Sequence, residues 1–379
     1  MPTENAVESK TDARPTMRGA RRRRFKESGL LGVVVALGLL LSVFGGSMQL
    51  RDRDTGETRT VNKFLRADNL DKLAKNTSFF AIMAVGATLV IISGGIDLSV
   101  GSIYCLAAVC GAMFLQRFGP QGAGAGVSPV LVVPAAVLLC LGVGVLCGLL
   151  NGLGVVLLRV HPFVITLGTM AMFRGVAFVM TKAQAYTHFP PQFTDDFIRY
   201  EVGHNLYPVP MTLMVVVTAL AALYLKFTVT GRRIFAVGGN EMAARYSGLP
   251  VERVKLKVYA FCGLMAGIAA MIMLGYYGAA SSDAGTGYEL DVIAAAVVGG
   301  ASLSGGRGSA LGALLGALII QMINSGIIIL EIDQNYSQII IGAVIIVAVV
   351  LDRINTVLRE RRLARAARPE PKINRKGIT

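Results

Sequence analysis

Apolar runs close to the length that crosses a bilayer, about 20 residues, recur along most of this chain. Ten can be read: 29–48, 72–93, 98–117, 129–158, 163–181, 210–227, 254–276, 286–300, 309–330 and 336–351. Backbone placed in lipid must close its own hydrogen bonds, so runs of this kind become helices. The expected fold is an all-α polytopic membrane protein of about ten transmembrane helices. Run 129–158 is long for one crossing and reads as tilted or broken. The mean hydropathy of +0.60 excludes an ordinary soluble domain. Forty-four glycines read mainly as close helix contacts, because lipid supplies no hydrophobic drive between helices. Some spans are therefore expected to be Gly-kinked.

Charge orients the runs. Segments 1–28, 227–257 and 352–379 carry net charges of +4, +4 and +6, which account for the whole +14. Positive-inside placement puts both termini and the middle basic segment in the cytoplasm, and an even number of spans agrees. The domain reading is a basic tail (1–28), a transmembrane body (29–351) and a second basic tail (352–379). Loop 49–71 fits less well, because Arg51, Arg53, Arg59, Lys63 and Arg66 would lie outside. Loop 183–209 fits, with Arg199 against Asp195, Asp196 and Glu201. The basic charge sits at membrane ends, where it favours anionic lipid at about 1 kcal/mol per residue. Nucleic acid is not an expected partner. Arg21 to Arg24 before the run from Leu30 resembles an export signal, but the further spans favour an uncleaved first helix.

Between the runs 210–227 and 254–276 lies a polar island, residues 231–250, GRRIFAVGGNEMAARYSGLP. It is helix-compatible, cytoplasmic by charge and too short to be stable alone, since isolated helices below about 12–15 residues are marginal. In a chain with no G-x-x-x-x-G-K-[ST] loop, it reads as a docking element for a separate motor.

Little else carries chemistry. His161, His188 and His204 occupy loops and form no metal spacing. Cys105, Cys110, Cys140, Cys147 and Cys262 fall inside apolar runs and read as small buried hydrophobes. The glycines of PQGAGAGVSP have no flanking strand and make a loop. No cofactor is expected in this chain.

The segment Ser93–Ser102, SGGIDLSVGS, joins the second and third runs. Asp97 and Ser99 are either a capping turn at the next helix or part of a broken helix that lines a polar path. Residues 299–305, GGASLSG, partly echo it, a hint of internal duplication. Polar residues inside the runs are few: Asn151, Thr166, Thr169, Arg174, Gln321 and Asn324. Arg174 should face the bundle interior or a wet cavity, since lipid exposure costs about 2.5–3.5 kcal/mol. Gln321 and Asn324 share a helix face. For the amides, interhelical hydrogen bonding and contact with a polar solute both stay open. Glu289 and Asp291 sit where a helix N-terminus favours acids.

Four blocks together are specific: GGIDLSVGS at 94–102, GLLNGLGVVLLRVHPFVITLGTMAMFRG at 148–175, GRRIFAVGGNEMAARYSGLPVERVK at 231–255, and AAAVVGGASLSGGRGSALGALLGA at 294–317. Over residues 60–352 the chain resembles permease subunits of bacterial ATP-binding-cassette importers for monosaccharides of the ribose, xylose, galactose and arabinose type. These are related to branched-chain amino-acid permeases. The resemblance implies a bacterial inner-membrane subunit paired with a second copy or a paralogue. It also implies two cytoplasmic ATPases, which hold ATP and Mg, and an external substrate-binding protein. Within the island, Gly239, Asn240, Glu241, Ala243, Ala244 and Gly248 match the coupling segment that fits the ATPase, with Gly248 breaking the helix. Asp97, Ser99, Asn151, Thr166, Arg174, Gln321 and Asn324 are the candidate path residues. Loops 49–71 and 183–209 depart from the family pattern and leave the sugar unassigned.

Two other classes compete. A self-sufficient secondary transporter would need a buried ion-coupling carboxylate, for which Asp97 is the candidate. A membrane enzyme would need a polar catalytic cluster, and none is visible.

Overall fold

A computed structural model describes residues 18–51, 58–202 and 207–366. The outer parts of both tails, and His204 and Asn205 in loop 183–209, lie outside the described residues. In order, the chain forms α1 (Arg18–Phe44), a hairpin of β1 (Ser47–Arg51) and β2 (Thr58–Asn62), α2 (Ala67–Ile92), α3 (Val100–Arg117), α4 (Pro129–Leu158) and α5 (Pro162–Thr181). There follow α6 (Pro191–Phe193), which runs into a π-helical turn at Thr194–Ile198, then α7 (Pro208–Phe227), α8 (Val229–Gly239), α9 (Glu241–Tyr246), α10 (Val251–Tyr277), α11 (Tyr288–Val298), α12 (Ala310–Ile329) and α13 (Ser337–Ala366). This is a polytopic membrane protein, built mostly of helices.

Among the described residues seven helices are long and apolar enough to cross a membrane: α2, α3, α4, α5, α7, α10 and α12. Each coincides with an expected run. Two further expected runs give shorter apolar stretches, Ser28–Phe44 and Gln334–Val350. The tenth expected run, 286–300, holds a helix of only 11 residues, α11, because Gly285, Gly287, Gly299 and Gly300 end it on both sides. Run 129–158 is one continuous helix of 30 residues, unbroken although Pro134 lies inside it. Loop 49–71 contributes strand residues to an expected all-α fold. Ser47 pairs with Asn62 and Arg51 with Thr58 in an antiparallel ladder, so the fold is not purely α. Lys63 ties this hairpin to the end of α12 through Glu331 at 2.8 Å, and the ammonium holds that carboxyl below its usual range.

Helix α2 is the central post. Nearly all of its apolar stretch is buried inside the single chain, and it packs on α7, α8, α10, α11 and α12. The most extensive helix pair is α4 with α10. Small residues make it possible. A Cβ on Gly144 would strike the carbonyl of Gly263, and one on Gly263 would strike the carbonyl of Gly144. Gly148 and Gly267 repeat the contact one turn away against Tyr259 and Cys140. Two small-xxx-small stripes thus bring the backbones together. Gly263→Leu is expected to cost about 3 kcal/mol, since backbone cannot yield as a side chain can. Earlier thermal exposure of the buried thiols Cys140, Cys147 and Cys262 to a thiol-reactive dye would measure it.

Candidate functional site

The chain between α2 and α3 is irregular, buried and polar. After Ile92 it turns at Gly94, whose φ is 84°, and runs as non-helical backbone to Ser99. Three helices supply partners for it, as irregular backbone in such a place requires. One oxygen of Asp97 accepts the Ser99 N–H at 2.9 Å and the Ser99 hydroxyl at 2.6 Å. That is an Asx turn. Ser99 occupies the N-cap position of α3 but makes no side-chain cap bond, so the carboxylate closes its own turn and does not cap the helix.

Asn151 of α4 donates to Ser99 Oγ at 2.6 Å and lies 3.4 and 3.5 Å from the Asp97 oxygens. The Ile96 carbonyl accepts from Thr166 of α5 at 3.4 Å and from Tyr259 of α10 at 3.2 Å. Asp97, Ser99, Asn151 and Thr166 are therefore brought together, and all are buried. Tyr259 completes the group and was missed. A tyrosine in an apolar run reads as core until its hydroxyl is seen to need an acceptor.

The other candidate path residues lie elsewhere. Arg174 is half-buried and donates to the carbonyls of Ser282 and Ala284. Gln321 is buried, and Asn324 accepts from Ser337 at 3.0 Å, joining α12 to α13. Helix α12 packs on α1, α2, α7, α11 and α13, so this amide pair is separate from the Asp97 group. Sequence reasoning also missed Lys75. It is 3% exposed in α2, paired with Asp71, with its ammonium 3.8 Å from the Tyr207 ring centre. The signal was present: Asp71 and Lys75 stand one turn apart at the start of an apolar run.

The polar island folds as α8 and α9. Asn240 caps α9, accepting the Ala243 N–H at 2.9 Å. Gly248 ends the helix as expected, at φ 75°. Gly248 donates to Arg245 and Leu249 to Ala244, the paired bonds of a Schellman motif. Glu241 pairs with Lys255, and Arg245 with Glu252, at 2.8 and 2.6 Å, fixing α9 to the start of α10. Ala243 is exposed, but Ala244 is buried and faces the body of the chain. Large exposed side chains on α9 are Met242 and Tyr246, at 58% and 82%.

The island is joined to the Asp97 segment and to the glycine-rich echo. Gly306 N donates to the Ile92 carbonyl at 2.8 Å. A Cβ on Gly238 would fall on that same carbonyl, and one on Gly305 on the carbonyl of Gly238. The two similar segments are therefore neighbours at the end of α2, with the end of α8 wedged against them. Among the described residues no group of His, Cys, Asp and Glu is placed to hold a metal.

A helical bundle with a capped, ion-paired polar island tied to its buried core suits a transport subunit, and the comparisons agree. Residues 69–349 match the family model described as "Branched-chain amino acid transport system / permease component", and the chain belongs to that family. It is 39% identical to the ribose import permease protein RbsC of Escherichia coli K12 over 290 residues, 76% of this chain and 87% of that protein. It is 34% identical to the D-allose transport system permease protein AlsC of the same organism, over 85% of this chain and 91% of the relative. It is 36% identical to the autoinducer 2 import system permease protein LsrD of Yersinia enterocolitica, over 74% and 83%. No solved structure matches the chain. The chain is thus a multi-pass permease component and not an enzyme.

Proposed function

We propose that this chain is the membrane subunit of an ATP-binding-cassette importer for a monosaccharide or a similarly hydroxyl-rich solute. The observation that carries the reading is the island: a capped, ion-paired helix pair, projecting from the spans yet tied at Gly238 to the end of the central helix. A solvated loop needs no such fixing. The ribose, allose and autoinducer 2 importers named among the relatives support the solute class.

In this reading the chain crosses the bacterial cytoplasmic membrane ten times, with both basic tails and the island inside. Helix α1, α13 and the short α11 with its flanking segments supply three crossings beyond the seven long helices. A second copy or a paralogue pairs with it. ATP and Mg reside in partner ATPases that grip α9, and an external binding protein meets the far end. Asp97 serves the structure of the path wall and not ion coupling, because its oxygens are engaged by Ser99 and Asn151.

The docking face can be tested directly. Met242 and Tyr246 stand one turn apart on α9 and are exposed, so both meet the ATPase. Tyr246→Ala with Met242→Ala is expected to reduce co-purification of the ATPase subunit at least 10-fold without changing the melting temperature of the permease. Ala244→Trp should instead lower that temperature, because Ala244 faces inward. Undiminished co-purification in the double variant would remove α9 from the interface. Labelling of a cysteine at position 241 from outside intact cells would reverse the proposed orientation.

A further inference from the structure

Helix α11 is too short to cross a membrane. Eleven residues rise about 16 Å against a hydrocarbon core of about 30 Å. Its last residues reach the island end, where Gly299 packs on Gly312 in the first turn of α12. Its first residue therefore lies at half depth. There the Tyr288 ring meets those of Phe79 and Phe80, with centroids 6.3 and 4.6 Å away, midway along α2.

The segment before α11 thus dips into the span. Ala280 still pairs with Tyr186 beyond the end of α5. Five residues later, Gly285 packs on Tyr104 and on the carbonyl of Gly101, in the first turns of α3. The dip is pinned from two helices. Arg174 of α5 donates to the Ser282 and Ala284 carbonyls, and Cys105 Sγ of α3 donates to Ser282 at 3.2 Å. Ser282 and Gly285 are buried, but Asp283 and Thr286 are exposed on the outer surface of the chain.

An exposed carboxylate at that depth does not face lipid, where even a charge on a helix costs about 2.5–3.5 kcal/mol or more. It faces a water-filled space. A carboxylate there can accept hydrogen bonds from two neighbouring hydroxyls, which suits a polyol.

We propose that residues 281–287 form a non-helical, solute-facing element of the translocation path at membrane depth, with Asp283 meeting sugar hydroxyls and Arg174 as the positioning residue. The proposal rests on the permease reading above.

A small membrane-impermeant methanethiosulfonate, applied outside intact cells, tests the placement. Asp283→Cys should react at least 10-fold faster than Leu138→Cys, which is exposed on α4, and faster than the native chain with its own five cysteines. Arg174→Ala in the same background should change that rate several-fold, and Arg174→Lys should restore part of it. Reaction no faster than at Leu138→Cys would overturn the water-facing placement. For solute contact, Asp283→Asn is assayed with radiolabelled D-ribose and D-allose, and KM should rise at least 5-fold with a smaller change in kcat. An unchanged KM for whichever sugar the wild type carries would overturn the contact. Wild-type uptake of neither sugar would count against the monosaccharide reading, and the labelling rate would still decide the placement.

Discussion

Asp97→Ala is expected to destabilise the permease by about 3 kcal/mol or more, because it strands buried donors that nothing else can satisfy. Its carboxylate accepts the Ser99 amide and hydroxyl and lies within reach of the Asn151 amide. Each buried donor left without an acceptor costs about 1–3 kcal/mol, and the groups are buried, with Asp97 at 2% exposure and Ser99 and Asn151 at 0%. Asp97→Asn should be much milder. It keeps one acceptor for the turn, and Asn151 can reverse its amide to meet the new donor. The chain has no Trp, so intrinsic tryptophan fluorescence is not the readout. Thermal exposure of its buried cysteines is. A large drop in melting temperature for the alanine variant, with a small one for the asparagine variant, is the expected result. Equal drops would mean that the charge itself, and not the acceptor, holds the turn.

The second large effect falls on adjacent glycines that read alike in the sequence. A side chain at Gly238 meets the Ile92 carbonyl and the Gly306 nitrogen, both backbone, whereas one at Gly239 meets nothing. Gly238→Val should therefore push the end of α8 away from the end of α2 and from the 305–308 turn. If the island drives the bundle through that contact, energy-dependent uptake should fall more than 10-fold while the protein still inserts. Gly239→Ala should remain near wild type. Comparable loss in both variants would place the sensitivity in the flexibility of the glycine pair and not in the wedge.

Most of the spans were legible because apolar length is a property of one segment at a time. The boundaries of α4, α5, α7, α10 and α12 fall within a few residues of the expected runs for that reason. Run 286–300 holds a helix shorter than its apolar length suggests, because hydropathy measures what tolerates burial and not what is helical. Glycines at 285, 287, 299 and 300 shorten α11, but their side-chain-free text also reads as apolar. The hairpin at 47–62 was hidden by its charges, which describe a surface and not a ladder.

The site was legible in part. Asp97 and Ser99 stood out in the glycine-rich turn between two runs and Asn151 as a polar group within one, and the structure brings them together. Their partnership with Tyr259 and Thr166 depends on which helices pack side by side, which no single segment records. Gly248 reads as a helix end and holds one, whereas the cap made by Asn240 was not foreseen, since Asn240 stands out only by resemblance. Ala244 was named as a docking contact because it matches the family's coupling segment, where small residues permit close packing. Small residues also permit packing against the chain's own body, and Ala244 does that. Met242 and Tyr246 read as ordinary helix residues until their exposure is known.

The most direct measurement is solute accumulation in proteoliposomes holding this permease, its ATPase partner and the external binding protein, loaded with ATP and Mg on the ATPase side. The account predicts accumulation that stops when the ATPase is omitted or ATP is replaced by a non-hydrolysable analogue, whatever ion gradient is imposed. Accumulation by the permease alone, driven by a proton or sodium gradient without ATP, would contradict it.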